Sequence, residues 1–392
     1  MKSHARVVII GGGVLGVNLL YHLTREGWTD IALVEKGELT SGSTWHAAGL
    51  CANFIGNMTV AQIQNYTIKL YNEILPQETG QASSFHQTGS IRVGYTKVEE
   101  EWFRNLESRA RSVGFEFNII SKKEAQERNP FMNFDQARVI VSTPNDGHVD
   151  PTSVVMPLSK LARDKGAEVY RLTRVSDINA LPSGEWEVVT DKGTIIAEHV
   201  VNAGGLWARE VGRMVGLELP ILAMEHMYLI TEDMAEVAEI NKTTGKEVVH
   251  AVDFDGELYL RQERGGMLMG TYEKACVPWS ERETPWDFGH ELLQPDIDRI
   301  APSLEVGFEH FPAFQNAGIK QIINGPFTFA PDGNPLVGPV PGLRNYWAAC
   351  AVMAGFSQGG GVGLALAQWM IEGEPERDVF AMDVARFGPW IT

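Results

Sequence analysis

The 392-residue sequence predicts an α/β fold of two domains, a Rossmann-like domain interleaved with a second one built on a mixed sheet. Three observations carry that expectation. The chain opens with an apolar strand, Val7-Val8-Ile9-Ile10, that runs into Gly11, Gly13 and Gly16 in GxGxxG spacing. Signals of the same kind return twice: at Val200-Val201-Asn202-Ala203-Gly204-Gly205-Leu206-Trp207, and in residues 325–363, where a strand at 346–349 precedes a glycine-rich helix start. The length exceeds the about 250 to 300 residues at which a single core stops growing. The Rossmann-like domain is therefore expected in three pieces, residues 1–84, 149–222 and 323–392; residues 85–148 and 223–322, richer in aromatic and charged groups, form the other domain.

Each element of the first piece has a physical reason. Gly11 makes the tight turn, Gly13 lets the backbone approach a pyrophosphate, and Gly16 lets the following helix pack on the strand. That helix, at residues 14–26 and beginning with Val14 and Leu15, points its positive end at the phosphates. A second apolar strand, residues 31–34, ends at Glu35, followed by Lys36. A carboxylate about 20 residues after the last glycine accepts hydrogen bonds from a ribose diol, and favours an adenosine ribose without a 2′-phosphate. GxGxxG alone also describes an ordinary glycine-rich turn; strand, helix and acid together specify a dinucleotide. Next comes Ser43-Thr44-Trp45-His46-Ala47-Ala48-Gly49-Leu50, whose small residues after His46 allow the backbone to lie against a flat ring. The cofactor expected from this order is FAD.

Further along, a helix at residues 157–166 leads to a strand at 167–170, and a small meander follows at 175–178, opening with Val175, then 186–190 and 194–196. Ala203, Gly204 and Trp207 return the chain to the cofactor. In the last piece, Gly355-Phe356-Ser357-Gln358-Gly359-Gly360-Gly361-Val362-Gly363 opens a helix to residue 370. Its N-terminus can stabilise negative charge on the pyrimidine side of a flavin.

Acidic residues outnumber basic ones, 50 to 33, and the formal charge of −17 argues against nucleic acid or an anionic membrane surface as partner. Cys51, Cys276 and Cys350 are odd in number and widely spaced, so no disulfide framework, redox pair or metal site is expected. The first strand starts within a few residues of Met1, and no apolar run reaches transmembrane length. The expectation is a soluble cytoplasmic protein of bacterial type, without signal or transit peptide.

Four segments, residues 42–50, Asp146-Gly147-His148-Val149-Asp150-Pro151, Tyr259-Leu260-Arg261-Gln262-Glu263-Arg264 and Asn324-Gly325-Pro326, resemble the flavoprotein portion of dimethylglycine and sarcosine dehydrogenases, in the D-amino-acid-oxidase-like superfamily. The resemblance implies that His46 carries the flavin covalently, through a ring nitrogen to the 8α carbon. Other members of the superfamily use a Cys near the position of Gly325, and this chain has none there. From the residues alone, a single His beside Trp45 and small residues most often serves packing, and its placement just downstream of the ribose-binding acid argues otherwise.

The implied reaction takes a hydride equivalent from an N-methyl group of dimethylglycine or sarcosine. The iminium left behind is hydrolysed to formaldehyde or captured by tetrahydrofolate, and the electrons pass to oxygen or to an electron-transfer flavoprotein. His226 and Tyr259 match residues that the family places near substrate and flavin; otherwise they read as a strand histidine bonded to backbone and an interior sheet aromatic. Sarcosine-oxidising relatives have a lysine after Gly-Phe-Ser where this chain has Gly359, Gly360, Gly361 and Val362, so the carboxylate anchor is open among Arg92, Arg261 and Arg264, each of which more commonly serves a solvated or structural ion pair. Family members continue into a folate-binding domain that nothing here resembles, which leaves folate capture to a partner or a missing domain. The superfamily branch also contains a phosphatase-regulating relative, hence a second expectation: a non-catalytic flavin-bearing regulatory subunit.

Overall fold

The computed structural model describes residues 1–53 and 56–388. Its first sheet carries five parallel strands in the order Tyr346–Cys350, Gly193–Asn202, His4–Ile10, Ile31–Val34 and Glu168–Tyr170. Strands buried on both faces read as unbroken apolar runs, which is why residues 7–10 and 31–34 carry no polar alternation. Val7, Ile9, Ile31 and Leu33 face a core shared with the helices Val14–Arg25, Pro151–Asp164 and Gly355–Glu372. Val8, Ile10, Ala32 and Val34 face the core on the other side, which takes in Val175, Val188 and Ile195 of the antiparallel meander.

The second sheet has nine strands and continues the mixed pattern expected for the other domain. Its spine is the antiparallel pair Leu222–Thr231 and Ile319–Phe329, with His226 opposite Gly325. The strand Ile319–Phe329 runs through residues 322 and 323, so it carries Gly325 while belonging to the mixed sheet along its whole length. A third sheet of three short strands, Leu50–Cys51, Gly147–Val149 and Phe85–His86, joins the two.

Two element limits differ from expectation. The helix expected at 157–166 is Pro151–Asp164: Asp150 caps it by accepting from the Ser153 amide, Pro151 occupies its first turn, and Pro157 sits inside without ending it. The strands expected at 194–196 and 200–201 are one strand, Gly193–Asn202, whose first half pairs with the meander and whose second half pairs with Tyr346–Cys350. Among the described residues no helix is long and apolar enough to cross a membrane.

Candidate active site

Around the first turn the backbone is arranged for a diphosphate and a ribose. Gly11 has φ +115°, and a Cβ there would lie 2.3 Å from the Ala203 carbonyl oxygen, so only glycine fits between the two loops. Gly16 lies against Gly11 in the same way, and Gly13 precedes the helix as a cap without side chain. Thr44 Oγ1 accepts from the Val14 amide at 3.1 Å, bringing residues 43–48 to the helix N-terminus, where Leu15 is half-buried. Glu35 accepts from the amides of Gly12 and Gly37, each at 2.7 Å. Burial pushes its carboxyl up from the ordinary value, against those two amides. A carboxylate has about four lone-pair sites, so capacity remains for a ribose diol. Val175 is buried just beyond the residues that run beside Glu35, where the Thr173 amide donates to the Glu35 carbonyl. Gly204 donates to Asn202 Oδ1, and Trp207 Nε1 donates to Pro285 O.

Two groups of expected cofactor residues have other partners. Lys36 Nζ donates to Phe288 O at 2.6 Å and Trp286 O at 3.2 Å and lies 4.0 Å from the centre of the Trp207 ring, which ties it to the 286–288 loop. The glycines of the last helix pack against other helices: a Cβ on Gly359 would meet Val14, on Gly360 Thr67 and Leu70, on Gly361 the Ile63 backbone and on Gly363 the Asn18 backbone. Val362 is buried in the same packing. The helix N-terminus that remains available is Gly355–Gln358, whose cap, Ala354, offers no side-chain bond. Ser357 Oγ joins it to the flavin segment by donating to Leu50 O and accepting from the Ala52 amide.

His46 is where the segment after Glu35 meets the mixed sheet. Its ring lies against Gly325, where a Cβ would be 2.5 Å from Nδ1 and from Cε1. Ser43 Oγ donates to Pro326 O beside it. Alternate residues of the mixed sheet point at the same segment, as the pleat requires. Tyr228 donates its hydroxyl to His46 O at 2.9 Å, and Arg261 Nε donates to Ala48 O at 2.6 Å. Burial pushes the His46 imidazole down to about 4, so it is neutral at physiological pH.

The nitrogens His46 Nε2 and Trp45 Nε1 and the oxygen Gln358 Oε1 are buried without a hydrogen-bond partner among the described residues. Buried polar atoms are otherwise almost always paired. Three such atoms in the segments expected to hold a flavin fit a polar ring system, and Ala47, Ala48 and Leu50 beside them are small or apolar.

On the same face, His226 Nε2 and the Tyr259 hydroxyl are 2.7 Å apart. Burial drives the imidazole down to about 3 and the phenol well above its ordinary value, so both stay neutral. Tyr272 and Phe327 have ring centroids 4.9 Å from His226 and wall a cavity of about 730 Å³ that reaches Met224 and Phe329. Behind it, Arg299 bridges Glu225 and Glu273, and Asn324 Nδ2 donates to Glu225.

The sequence reading named none of Tyr228, Tyr272 and Phe327. Alternation from His226 would have found Tyr228. The other two needed the pairing of strands that are distant in sequence. Of the candidate carboxylate anchors, Arg92 pairs with Asp146 at 2.9 Å in the interior, Arg261 pairs with Glu263 at 2.7 Å, and Arg264 is exposed beside Glu263. None of these three lines the cavity.

Residues 6–369 match the family described as FAD dependent oxidoreductase, DAO. The mitochondrial dimethylglycine dehydrogenase of Mus musculus is 41% identical over 396 residues, covering 100% of this chain and 45% of that protein. The mitochondrial pyruvate dehydrogenase phosphatase regulatory subunit of Mus musculus is 34% identical over 392 residues, covering 99% and 44%. The chain thus spans less than half the length of these two relatives. The crystal structure of L-proline dehydrogenase from P. horikoshii superposes with a TM-score of 0.87 at 24% identity, covering 99% of this chain and 98% of that one, a likeness of fold. The motif resemblance, the superposed fold and the matched residues agree: the chain belongs to the DAO family of FAD dependent oxidoreductases.

Proposed function

We propose that the chain oxidises a small secondary or tertiary methylamine at its N-methyl carbon, with N,N-dimethylglycine first and sarcosine second as substrates. FAD, attached through His46, supplies the two-electron acceptor when bound. The observation that carries this reading is the neutral His226–Tyr259 pair, set on the face against which His46 lies, with His226 lining a cavity that Tyr272 and Phe327 also line.

An amine can release hydride from a neighbouring carbon only when its nitrogen lone pair is free. An imidazole held near 3 carries no positive charge to repel the amine. The Tyr259–His226 hydrogen bond fixes both rings, so the pair can orient a neutral amine. Tyr272 and Phe327 flank His226 on its cavity side and offer ring surface to the N-methyl end. The iminium that remains takes up water outside this pair and breaks down to formaldehyde and the demethylated amine, or passes to a folate-binding partner. Oxygen or an electron-transfer flavoprotein takes the electrons. The resemblance to a phosphatase regulatory subunit supports a second reading, a flavin-bearing subunit without turnover.

Incubation with dimethylglycine, sarcosine or glycine betaine and an artificial electron acceptor, followed by assay for formaldehyde, tests the proposal. Formaldehyde is expected from the first two and none from betaine, whose quaternary nitrogen has no lone pair. Formaldehyde from none of the three overturns it.

A further inference from the structure

The three-stranded sheet carries a second cluster that the oxidation does not use. His86 and His148 are directly opposite in antiparallel register, with ring centroids 4.7 Å apart and planes inclined by 16°. Glu247, between the helix Ala235–Thr244 and the strand His250–Asp253, reaches both: Oε1 is 2.8 Å from His86 Nδ1, and Oε2 is 3.4 Å from His148 Nε2. Oε2 is buried and makes no hydrogen bond among the described residues. Behind His148, its Nδ1 meets His250 Nε2 at 2.9 Å, and His250 is 1% exposed.

We propose that His86, His148 and Glu247 bind one divalent cation of the zinc class, with His250 as the positioning residue for His148. Each residue offers one ligand atom, and these lie within 4.8 Å of one another. Zinc bonds of about 2.0 to 2.2 Å to nitrogen and oxygen draw such atoms to about 3.3 Å apart, a closure that rotation of the half-exposed His86 can supply. Two imidazoles and a carboxylate suit zinc, nickel or copper rather than magnesium or calcium, which prefer oxygen alone.

The tautomers agree with this. A ligating His148 Nε2 leaves the proton on Nδ1, which donates to His250 Nε2, the support that metal-bound histidines ordinarily have. The nearby cations Arg261 and Arg92 are neutralised by Glu263 and Asp146. His86 and Glu247 are partly exposed, which gives the ion an entry path and a water its fourth position. The ion would clamp the strand that pairs with Leu50, next to the flavin segment, onto residues 247–250 of the mixed-sheet domain.

The test is calorimetric titration of the chelator-washed holoprotein with Zn²⁺. One equivalent is expected, with a rise in the thermal midpoint. His250→Phe should weaken binding by about 10- to 100-fold, and His86→Ala with Glu247→Gln by more than that. Both ligand changes are on partly exposed side chains, and retained flavin absorbance reports that the paired variant is folded. No uptake by the parent protein, or equal affinity in a folded paired variant, overturns the proposal.

Discussion

At His46 a buried imidazole presents an unpartnered Nε2 while its neighbours hold the backbone on both sides: Tyr228 on His46 O and Arg261 on Ala48 O. His46→Ala is predicted to yield a protein whose yellow colour is released into solution on acid precipitation; colour that stays with the pellet would exclude His46 as the attachment point. Tyr259→Phe removes one hydrogen bond of 2.7 Å and no volume. Flavin reduction by dimethylglycine should slow by about tenfold or more, equivalent to about 1.4 kcal/mol of lost orientation, with flavin content unchanged. Unaltered reduction kinetics would return Tyr259 to a packing role. His46 and Tyr259 stand out in the sequence because each lies in a short motif that carries the family resemblance, and His226 through a family match of its own; their roles belong to the proposal above. Tyr272 and Phe327 do not stand out, because they reach His226 only through the pairing of residues 222–231 with 319–329 and of neighbouring strands, which no local pattern encodes.

The helix Gly355–Glu372 shows how an element can be legible while its glycines are misread. Its start and approximate end followed from the glycine-rich opening and the apolar run behind it. Its glycines read as a cofactor cradle, yet Gly360 and Gly361 face the helix Met58–Lys69, and Gly359 and Gly363 face Val14–Arg25. Periodicity tells that a helix face is small, and tertiary contact decides what fills the space. Gly361→Ala would place a Cβ 2.4 Å from Ile63 O. Overpacking of that kind costs about 1 to 3 kcal/mol, read as a lower urea midpoint; an unchanged midpoint would show that the two helices separate without cost. The helix Pro151–Asp164 starts six residues before the expected 157. The Asp150 cap, with Pro151 after it, is the true signal and was present in the sequence.

For the whole molecule, three histidines, His22, His148 and His226, are held down to about 3 by burial. The unfolded chain binds protons at these sites near pH 6.5, and the folded chain does not until near pH 3. Their contribution to stability is therefore present above pH 6.5 and lost as pH falls through that window, by up to about 1.4 kcal/mol per pH unit for each. His310, raised by its bond to Asp253, acts in the opposite sense, while His46, His199 and His250 are lowered as well. In chelator-treated samples the thermal midpoint should be lower at pH 5 than at pH 7; a midpoint that stays flat or rises would mean that these imidazoles are not buried as described.

The central parallel strands at residues 7–10 and 31–34 were legible, because doubly buried strands announce themselves as apolar runs. The contact of His46 with Gly325 was not legible in the sequence, since its geometry depends on a strand pair separated by some 90 residues of chain. The most direct measurement is anaerobic mixing of the flavin-loaded chain with dimethylglycine while flavin absorbance is followed. Rapid bleaching is the expected result, as hydride leaves the N-methyl carbon beside the His226–Tyr259 pair. Flavin that stays fully oxidised with both dimethylglycine and sarcosine would contradict amine oxidation and favour the regulatory reading.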